Sequence, residues 1–191
     1  MSACLISDLH LHENRPELTK AFKKFLISHA ANVDSLYILG DLFEAWIGDD
    51  YENDFILDVK LELKKYSSLG KKIYLMHGNR DFLLGDKFCD DVGGLLLDDP
   101  TTAKINNFEV VLMHGDSLCT DDLDYQSFRT VVRDQKWKND FLEKEISERI
   151  QLAQNLREVS KAENKDKDYE IMDVNPMAVS YTHLTLPTIR L

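Results

Sequence analysis

The sequence has few of the features that mark secreted, membrane-spanning and nucleic-acid-binding proteins. It contains only three cysteines, none in a Cys-x-x-Cys pair, so we expect reduced thiols in a cytosolic protein. No basic-then-apolar leader opens the chain and no apolar run reaches membrane-spanning length, which predicts at most attachment to a membrane face. Acidic residues outnumber basic ones, and the net charge of −11 argues against nucleic-acid binding.

The remaining composition is that of an ordinary globular domain. The 191 residues are 43% hydrophobic and 30% charged, so we expect one domain with a good core, extending over residues 1–178. The acidic excess suits a protein that holds divalent cations at its centre. A solvated acidic surface would give the same net charge.

Four short apolar runs, each typical of a buried strand, end in side chains that can bind a metal. In open α/β sheets, ligands bind where the carboxyl ends of the strands meet, so we expect these endings to lie together. They supply carboxylates, imidazoles and an amide, which predicts a metal site. The endings are Asp8-Leu9-His10, Gly40-Asp41, His77-Gly78-Asn79-Arg80-Asp81 and His114-Gly115-Asp116.

Strand-like and helical segments alternate up to His114, which is the pattern of a layered α/β domain. Pro16 suits the first position of one helix, and residues 54–69 predict a second helix with Gly70 as its stop. Residues 101–105 and 108–113 predict a β-hairpin that turns through Asn106 and Asn107. We therefore expect mixed β-sheets flanked by helices.

Residues 125–167 differ from the rest, because they contain no glycine or proline and repeat apolar side chains at helical spacing. This segment predicts a helical insertion that rises from the metal-binding edge and acts as a lid. A plain helical hairpin packed on the core explains the same periodicity equally well.

The predicted ligands offer nitrogen and oxygen atoms without thiolate, which suits manganese, iron, zinc or magnesium. One residue separates Asp8 from His10, so in extended chain both side chains lean the same way, and the two oxygens of Asp41 can bridge two cations. Two such ions activate a water molecule and clamp the oxygens of a phosphoryl group. Each residue alone has a simpler explanation, such as a helix cap for Asp8 or a core histidine for His114.

These motifs resemble those of the calcineurin-like metallophosphoesterase superfamily and, more narrowly, those of the bacterial UDP-2,3-diacylglucosamine diphosphatase family. The likeness extends to about residue 178, and its most specific part is the string of residues 37–50, Tyr-Ile-Leu-Gly-Asp-Leu-Phe-Glu-Ala-Trp-Ile-Gly-Asp-Asp. By resemblance, the metal ligands are Asp8, His10, Asp41, Asn79 and His114, with Asp41 bridging. The implied substrate contacts are Asn79, Arg80, Asp122, Ser160, Asn164 and Lys167, and the implied catalytic residues are Asp41 and Arg80.

The same resemblance implies a reaction, a cofactor and a location. The reaction is hydrolysis of the diphosphate bond of UDP-2,3-diacylglucosamine to 2,3-diacylglucosamine 1-phosphate and UMP, a step of lipid A biosynthesis. The implied cofactors are two divalent metal ions, with Mn²⁺ the first choice. Because the substrate is a lipid-linked UDP-sugar, we expect a cytoplasmic protein held peripherally on the cytoplasmic face of the inner membrane. No nucleic-acid or protein partner is expected.

Arg80 departs from the wider superfamily, in which most members carry histidine at this position. Arginine stays charged near neutral pH, so it cannot donate a proton to a poor alkoxide leaving group. It can neutralise charge that develops on phosphoryl oxygens, which favours cleavage of a diphosphate, whose leaving group needs no proton. Alternatively, Arg80 only pairs with Asp81 on the surface.

The segment that follows the predicted lid carries three of the implied substrate contacts. Ser160, Asn164 and Lys167 are spaced so that on one helix they share a polar face. A hydroxyl, an amide and an ammonium group in a row can bind a glucosamine phosphate, although an ordinary solvated face has the same composition. A more apolar face lies next to it, with Ala153, Leu156 and Val159.

The C-terminal part of the sequence departs from the family in two ways. In the family, a Gly-His-x-His segment completes the ligand sets of both metal ions, and it has no match here. Five ligands therefore remain, and water must fill the empty positions at the second metal ion. Residues 179–191 resemble the translated sequence of a transposon-end adapter, so we expect a non-native tail and do not assign His183 as a ligand. Two alternatives therefore stay open: another metallophosphoesterase, such as a nucleotide pyrophosphatase or phosphodiesterase, and an inactive metal-binding fragment.

Overall fold

The computed structural model describes residues 2–165, 167 and 169–185, without the side chains of residues 163, 164, 169 and 181–185. The chain divides into two compact units, the first ending at His114 and the second beginning at Gly115.

The first unit is built on a four-stranded sheet with all strands parallel. Its strands are β1 (Ala3–Ile6), β2 (Ser35–Leu39), β3 (Lys72–Met76) and β4 (Gly94–Leu97), in the spatial order β1-β2-β3-β4. Parallel pairing brings the carboxyl ends of the four strands to one edge of the sheet. The chain segments that contain Asp8, Asp41 and Asn79 follow β1, β2 and β3 directly, so they begin at that edge.

Helices connect the parallel strands, as the alternating sequence pattern predicts. They are α1 (Pro16–Ser28), α2 (Asp54–Ser68) and α3 (Asp86–Val92). Pro16 begins α1, where its missing N–H costs nothing, and the Asn53 side chain caps α2 by accepting the N–H of Ile56 at 2.8 Å. The apolar sides of these helices are buried, with Phe22, Leu26, Val59, Leu63 and Phe88 in the core.

A two-stranded antiparallel hairpin completes the first unit. Strands β5 (Thr101–Ile105) and β6 (Phe108–Leu112) turn through Asn106, whose φ of 55° is one that asparagine tolerates. Tyr37, Met76 and Leu112 form a buried cluster, on which hairpin side chains and partly buried sheet side chains pack. Because strand side chains alternate, Leu36 and Leu75 point to the opposite face, where they are also buried. The expected mixed sheets flanked by helices are confirmed.

The second unit is helical in the part that the structure describes. Its helices are α4 (Leu123–Arg133), α5 (Gln135–Leu142), α6 (Ile146–Lys165), α7 (Tyr169–Met172) and α8 (Pro176–Thr185). The helical character predicted for residues 125–167 is confirmed as far as Lys165. Among the described residues, no helix has both the length and the apolar character needed to cross a bilayer.

Helix α8 continues into the segment that we expected to be a non-native tail. Pro176 stands at its first position, and the Asn175 side chain accepts the N–H groups of Met177 at 2.8 Å and Ala178 at 3.2 Å. This cap begins a helix that the apolar pattern does not signal. The non-native origin of residues 179–191 stays a prediction, and His183 lies among the residues whose side chains are not described.

Candidate metal centre

The loop that follows β1 carries Asp8 and His10 and runs beside the loop that follows β2. The N–H of Asp8 donates to the carbonyl of Gly40 at 3.2 Å, and the N–H of His10 donates to the carbonyl of Asp41 at 3.0 Å. Asp8 and His10 have φ values of 57° and 47°, so the loop is left-handed and not extended as the sequence reasoning assumed. The two side chains still converge, with His10 Nε2 4.0 Å from Asp8 Oδ1.

Asp41 lies at the centre of the site and is only 2% exposed. Its Oδ1 accepts the backbone N–H of Arg80 at 2.8 Å. Its Oδ2 lies 3.8 Å from His10 Nε2 and 4.0 Å from His114 Nε2, between two imidazoles from different loops. Burial raises the pKa of Asp41, and the Arg80 N–H and His114 oppose that rise only in part. A bound cation would favour the ionised carboxylate.

A polar contact at Nδ1 of each imidazole, a hydrogen bond for His114 and an ion-pair contact for His10, leaves Nε2 on the side of Asp41. His114 Nδ1 is 2.8 Å from the carbonyl of Leu39, which can only accept, so Nδ1 carries the proton and Nε2 keeps its lone pair. His10 Nδ1 is 3.3 Å from Glu44 Oε2, which favours the same tautomer. A carboxylate or carbonyl behind a histidine is the usual support of a metal-binding imidazole.

Two glycines allow the ligand loops to approach this closely. A Cβ on Gly40 would lie 2.5 Å from His114 Nδ1 and 2.7 Å from the Cα of Gly78, and Gly40 has a φ of 94°. A Cβ on Gly78 would overlap the carboxylate of Asp41. Any other residue at these positions would push the loops after β2 and β3 apart.

Asn79 and Arg80 each place a buried polar atom in the same turn. Asn79 Oδ1 and Arg80 Nε are both buried, and neither has a hydrogen-bond partner in the part of the chain that the structure describes. A buried acceptor and a buried donor without partners are costly and mark sites where a ligand binds. The amide oxygen suits a cation, and the guanidinium suits an anion.

The residues fit a metal centre. Single ligand atoms of Asp8, His10 and Asp41 all lie within 4.8 Å of one another. Because ligand–metal distances are about 2.0–2.2 Å, two ligands of one ion are separated by at most about 4.4 Å, and the Asp41–imidazole distances agree with this. A helix cap does not explain Asp8, since Arg15 precedes α1.

Comparison with known proteins gives the family. A family model described as calcineurin-like phosphoesterase matches residues 1–181. The chain belongs to the calcineurin-like phosphoesterase family. A protein named UDP-2,3-diacylglucosamine hydrolase from Chromohalobacter salexigens is 48% identical over 179 residues, covering 94% of this chain and 73% of that protein. Proteins of the same name from Marinobacter nauticus and Azotobacter vinelandii are 48% and 45% identical, each over 94% of this chain and 73% or 74% of their own length.

The remaining implied substrate contacts of this phosphoesterase lie in the second unit. The ammonium of Lys167 pairs with Asp122 Oδ1 at 2.6 Å, and the same oxygen accepts the N–H of Tyr125 at the start of α4. The expected face shared by Ser160, Asn164 and Lys167 is wrong for Lys167, because α6 ends at Lys165. Ser160 is half-buried on α6, and the side chain of Asn164 lies outside the described residues.

The structure also corrects the surface alternative for Arg80 and reveals two residues that the sequence reasoning missed. Asp81 is 1% exposed and accepts backbone N–H groups, so it is not a surface partner for Arg80. Asp81 and Glu44 both support ligand loops without being expected ligands. Glu44 belongs to the motif of residues 37–50 and Asp81 to that of residues 77–81. The local sequence does not distinguish a buried carboxylate from a solvated one.

Proposed function

We propose that the chain is a metal-dependent pyrophosphohydrolase that cleaves the diphosphate bond of UDP-2,3-diacylglucosamine, releasing UMP and 2,3-diacylglucosamine 1-phosphate. The observation that carries the proposal is the position of Asp41 Oδ2, 3.8 Å and 4.0 Å from two imidazole nitrogens whose lone pairs face it. The name UDP-2,3-diacylglucosamine hydrolase, borne by relatives that are 45–48% identical over most of this chain, supports the choice of substrate.

Five residues of the first unit would hold two divalent cations, with Asp41 between them. Asp8, His10 and His114 would contribute carboxylate and imidazole ligands around Asp41, and the unpartnered Asn79 Oδ1 would supply a further oxygen ligand. When bound, the cations supply an activated water molecule and neutralise charge on the phosphoryl oxygens. The donor set contains nitrogen and oxygen without sulfur, which suits Mn²⁺.

Arg80 would act directly on the substrate. Its backbone N–H bonds to Asp41 Oδ1 at 2.8 Å, and this contact places the residue beside the bridging carboxylate. Its buried Nε has no acceptor among the described residues, and an anionic phosphoryl oxygen would satisfy it. Since the guanidinium cannot give up its proton, Arg80 stabilises charge and does not protonate the leaving group. That role fits a diphosphate, whose leaving group is a stable phosphate monoester.

We further propose that the second unit binds the sugar and acyl parts of the substrate. Asp122, Ser160, Asn164 and Lys167 are the polar candidates for the sugar phosphate. Helix α4 carries apolar side chains at the surface, and Leu123 is 72% and Val131 53% exposed. Such side chains can receive acyl chains or rest on a bilayer, which is consistent with peripheral association with the cytoplasmic face of the inner membrane.

Release of UMP from UDP-2,3-diacylglucosamine, with and without Mn²⁺, tests the proposal. The test uses this chain and a chimaera extended with the residues of the Chromohalobacter salexigens relative that the chain does not match. We expect Mn²⁺-dependent release by the chimaera that is lost in its Asp41→Asn variant.

Two outcomes separate the alternatives. Release by the chimaera and Mn²⁺ binding without release by the chain would identify the chain as an inactive metal-binding fragment. Cleavage of dinucleotide polyphosphates or phosphodiesters in preference to UDP-2,3-diacylglucosamine would contradict the substrate assignment.

A further inference from the structure

Asp81 connects the two loops that carry Asp41 and Asn79. Its Oδ1 accepts the N–H of Gly78 at 2.8 Å and the N–H of Asp41 at 3.2 Å. Its Oδ2 accepts the N–H of Leu42 at 2.8 Å. One buried carboxylate therefore accepts backbone N–H groups from the loop after β2 and from the loop after β3.

The connection is reciprocal. Asp41, in the loop after β2, accepts the backbone N–H of Arg80 in the loop after β3, at 2.8 Å. Asp81, in the loop after β3, accepts the backbone N–H of Asp41 in return. A third bond, from the N–H of Trp46 to the carbonyl of Arg80 at 3.2 Å, joins the same two segments. The orientation of the Asp41 carboxylate is thus coupled to the position of Asp81.

Asp41 needs this support because its backbone is left-handed, with a φ of 54°. Residues other than glycine rarely adopt this backbone conformation, and it persists where surrounding contacts impose it. Asp81 holds the N–H of Asp41 itself and that of the next residue, Leu42. Water cannot replace these bonds easily, because Asp81 is only 1% exposed.

We infer that Asp81 is a positioning residue of the metal centre, which fixes the conformation of Asp41 and the distance between Asp41 and Asn79 without binding the metal. The inference rests on the proposed metal centre. Loss of a group that orients metal ligands typically weakens metal affinity by about 10–100-fold. We expect Asp81→Asn to raise the Kd for Mn²⁺ within that range, since its NH₂ cannot accept the N–H groups that one carboxylate oxygen now accepts.

Asp49 provides a matched control, because it is also a carboxylate that accepts N–H groups from separate segments. Its Oδ1 accepts the indole N–H of Trp46 at 2.9 Å and the N–H of Gly85 at 3.0 Å. Its Oδ2 accepts the N–H of Phe88 at 2.9 Å, in the first turn of α3. Asp49 holds no backbone group of Asp41 or Asn79. Asp49→Asn should lower the melting temperature and leave the Kd for Mn²⁺ unchanged.

The experiment measures Mn²⁺ binding by the loss of the electron paramagnetic resonance signal of free Mn²⁺, for the chain and both variants. Hydrogen exchange of the metal-free proteins is the second measurement. We expect Asp81→Asn to speed exchange in residues 41–43 and 78–81 relative to Asp49→Asn, with α1 unchanged. If Asp81→Asn does not fold, Asp81→Glu, which keeps the charge but moves the carboxylate, takes its place.

An unchanged Kd in the Asp81 variant, or unchanged exchange in residues 41–43, would overturn the inference. If the unmodified chain binds no Mn²⁺, the proposed metal centre is wrong. The exchange measurement on the metal-free chain then decides separately whether Asp81 holds the Asp41 loop.

Discussion

At the scale of single residues, the site combines unfavourable backbone conformations with a buried carboxylate. Asp8, His10 and Asp41 all have positive φ, which costs an L-residue about 1–2 kcal/mol. Asp41 is also a buried carboxylate with a raised pKa. Such costs concentrate where function requires a fixed geometry, and here a bound cation would offset them.

Asp41→Asn separates the cost of burying this carboxylate from its proposed function in metal binding. Asparagine tolerates positive φ, its Oδ1 can still accept the Arg80 N–H, and its NH₂ can donate to the lone pairs of His10 and His114. We expect the metal-free melting temperature to stay the same or rise by about 2–4 °C, which corresponds to roughly 1 kcal/mol. The increase in melting temperature that Mn²⁺ gives the unmodified chain should disappear. A full Mn²⁺-dependent increase in the variant would show that Asp41 does not bridge.

Arg80→His tests the role of fixed charge at the phosphoryl group. In the chimaera, we expect kcat for diphosphate cleavage to fall by about 10²–10³, the usual loss for one preorganised donor. Mn²⁺ content should not change, because the Asp41 contact uses the Arg80 backbone N–H, which histidine retains. Undiminished turnover would place the Arg80 side chain outside the reaction.

The backbone conformation of the loops that carry the candidate ligands could not be predicted from the sequence, although their meeting at one edge of the sheet could. Four strand endings predict Asp8, Asp41, Asn79 and His114 as candidate ligands from local composition. The left-handed turn at Asp8 depends on a hydrogen bond to Gly40, 32 positions later, which no local pattern records. The same holds for the support that Asp81 gives to residues 41 and 42.

At the scale of elements, local signals predicted the boundaries that local chemistry sets. Pro16 begins α1, and Asn106 turns the β5–β6 hairpin. The position of Lys167 depends on Asp122, which is 45 positions away, and Lys167 lies in a bend and not on α6 as its spacing from Ser160 predicts. Helix α8 was missed because its start depends on the Asn175 cap and not on an apolar pattern.

Helix α4 is fastened to the preceding turn by one carboxylate. Asp116 Oδ2 accepts the hydroxyl of Tyr125 at 2.6 Å, Nε of Arg129 at 2.9 Å and Nη2 of Arg133 at 3.3 Å. Burial alone would raise the pKa of Asp116, but the hydrogen bonds from Arg129 and Tyr125 and the arginine charges lower it below its usual value. The ion cluster therefore stabilises the fold when Asp116 is ionised.

Asp116→Asn should lower the free energy of unfolding by about 1–3 kcal/mol at pH 7, since it removes the buried negative charge that accepts hydrogen bonds from Arg129 and Arg133. A folded-state pKa below the unfolded value means that the unfolded chain binds protons first as pH falls. The difference between the two proteins should therefore shrink below about pH 4. Urea unfolding between pH 3 and pH 7 measures it, with the exposed Glu148→Gln as control. A constant difference across that range would contradict the assignment.

At the scale of the whole molecule, the two units differ in the chemistry that they offer. The first contains all five expected metal ligands, four on loops that follow strands of the parallel sheet and His114 directly after the hairpin strand β6. The second, where described, is helical, with apolar side chains of α4 at its surface. This division suits a reaction in which a lipid-linked group is bound and a diphosphate is cleaved.

Hydrogen exchange with and without Mn²⁺ tests whether the metal ligands all belong to the first unit. We expect Mn²⁺ to slow exchange in the loops after β1, β2, β3 and β6, because binding selects the folded loops. Residues 123–142 contain no expected ligand, so their exchange should not change. Equal slowing in both ranges would indicate general stabilisation rather than binding at the proposed centre. The metal-free protein in buffer with a chelator serves as the reference.

Asn79 and Arg80 also have a consequence for inhibitor design. A buried amide oxygen that needs a donor and a buried guanidinium nitrogen that needs an acceptor stand in consecutive residues. In the metal-free protein, where Asn79 Oδ1 binds no cation, a small fragment that carries an amide N–H next to a carboxylate offers both partners at once. Such a fragment would need no metal-chelating group, so it would avoid the poor selectivity that follows when an inhibitor derives its affinity from a metal common to many hydrolases.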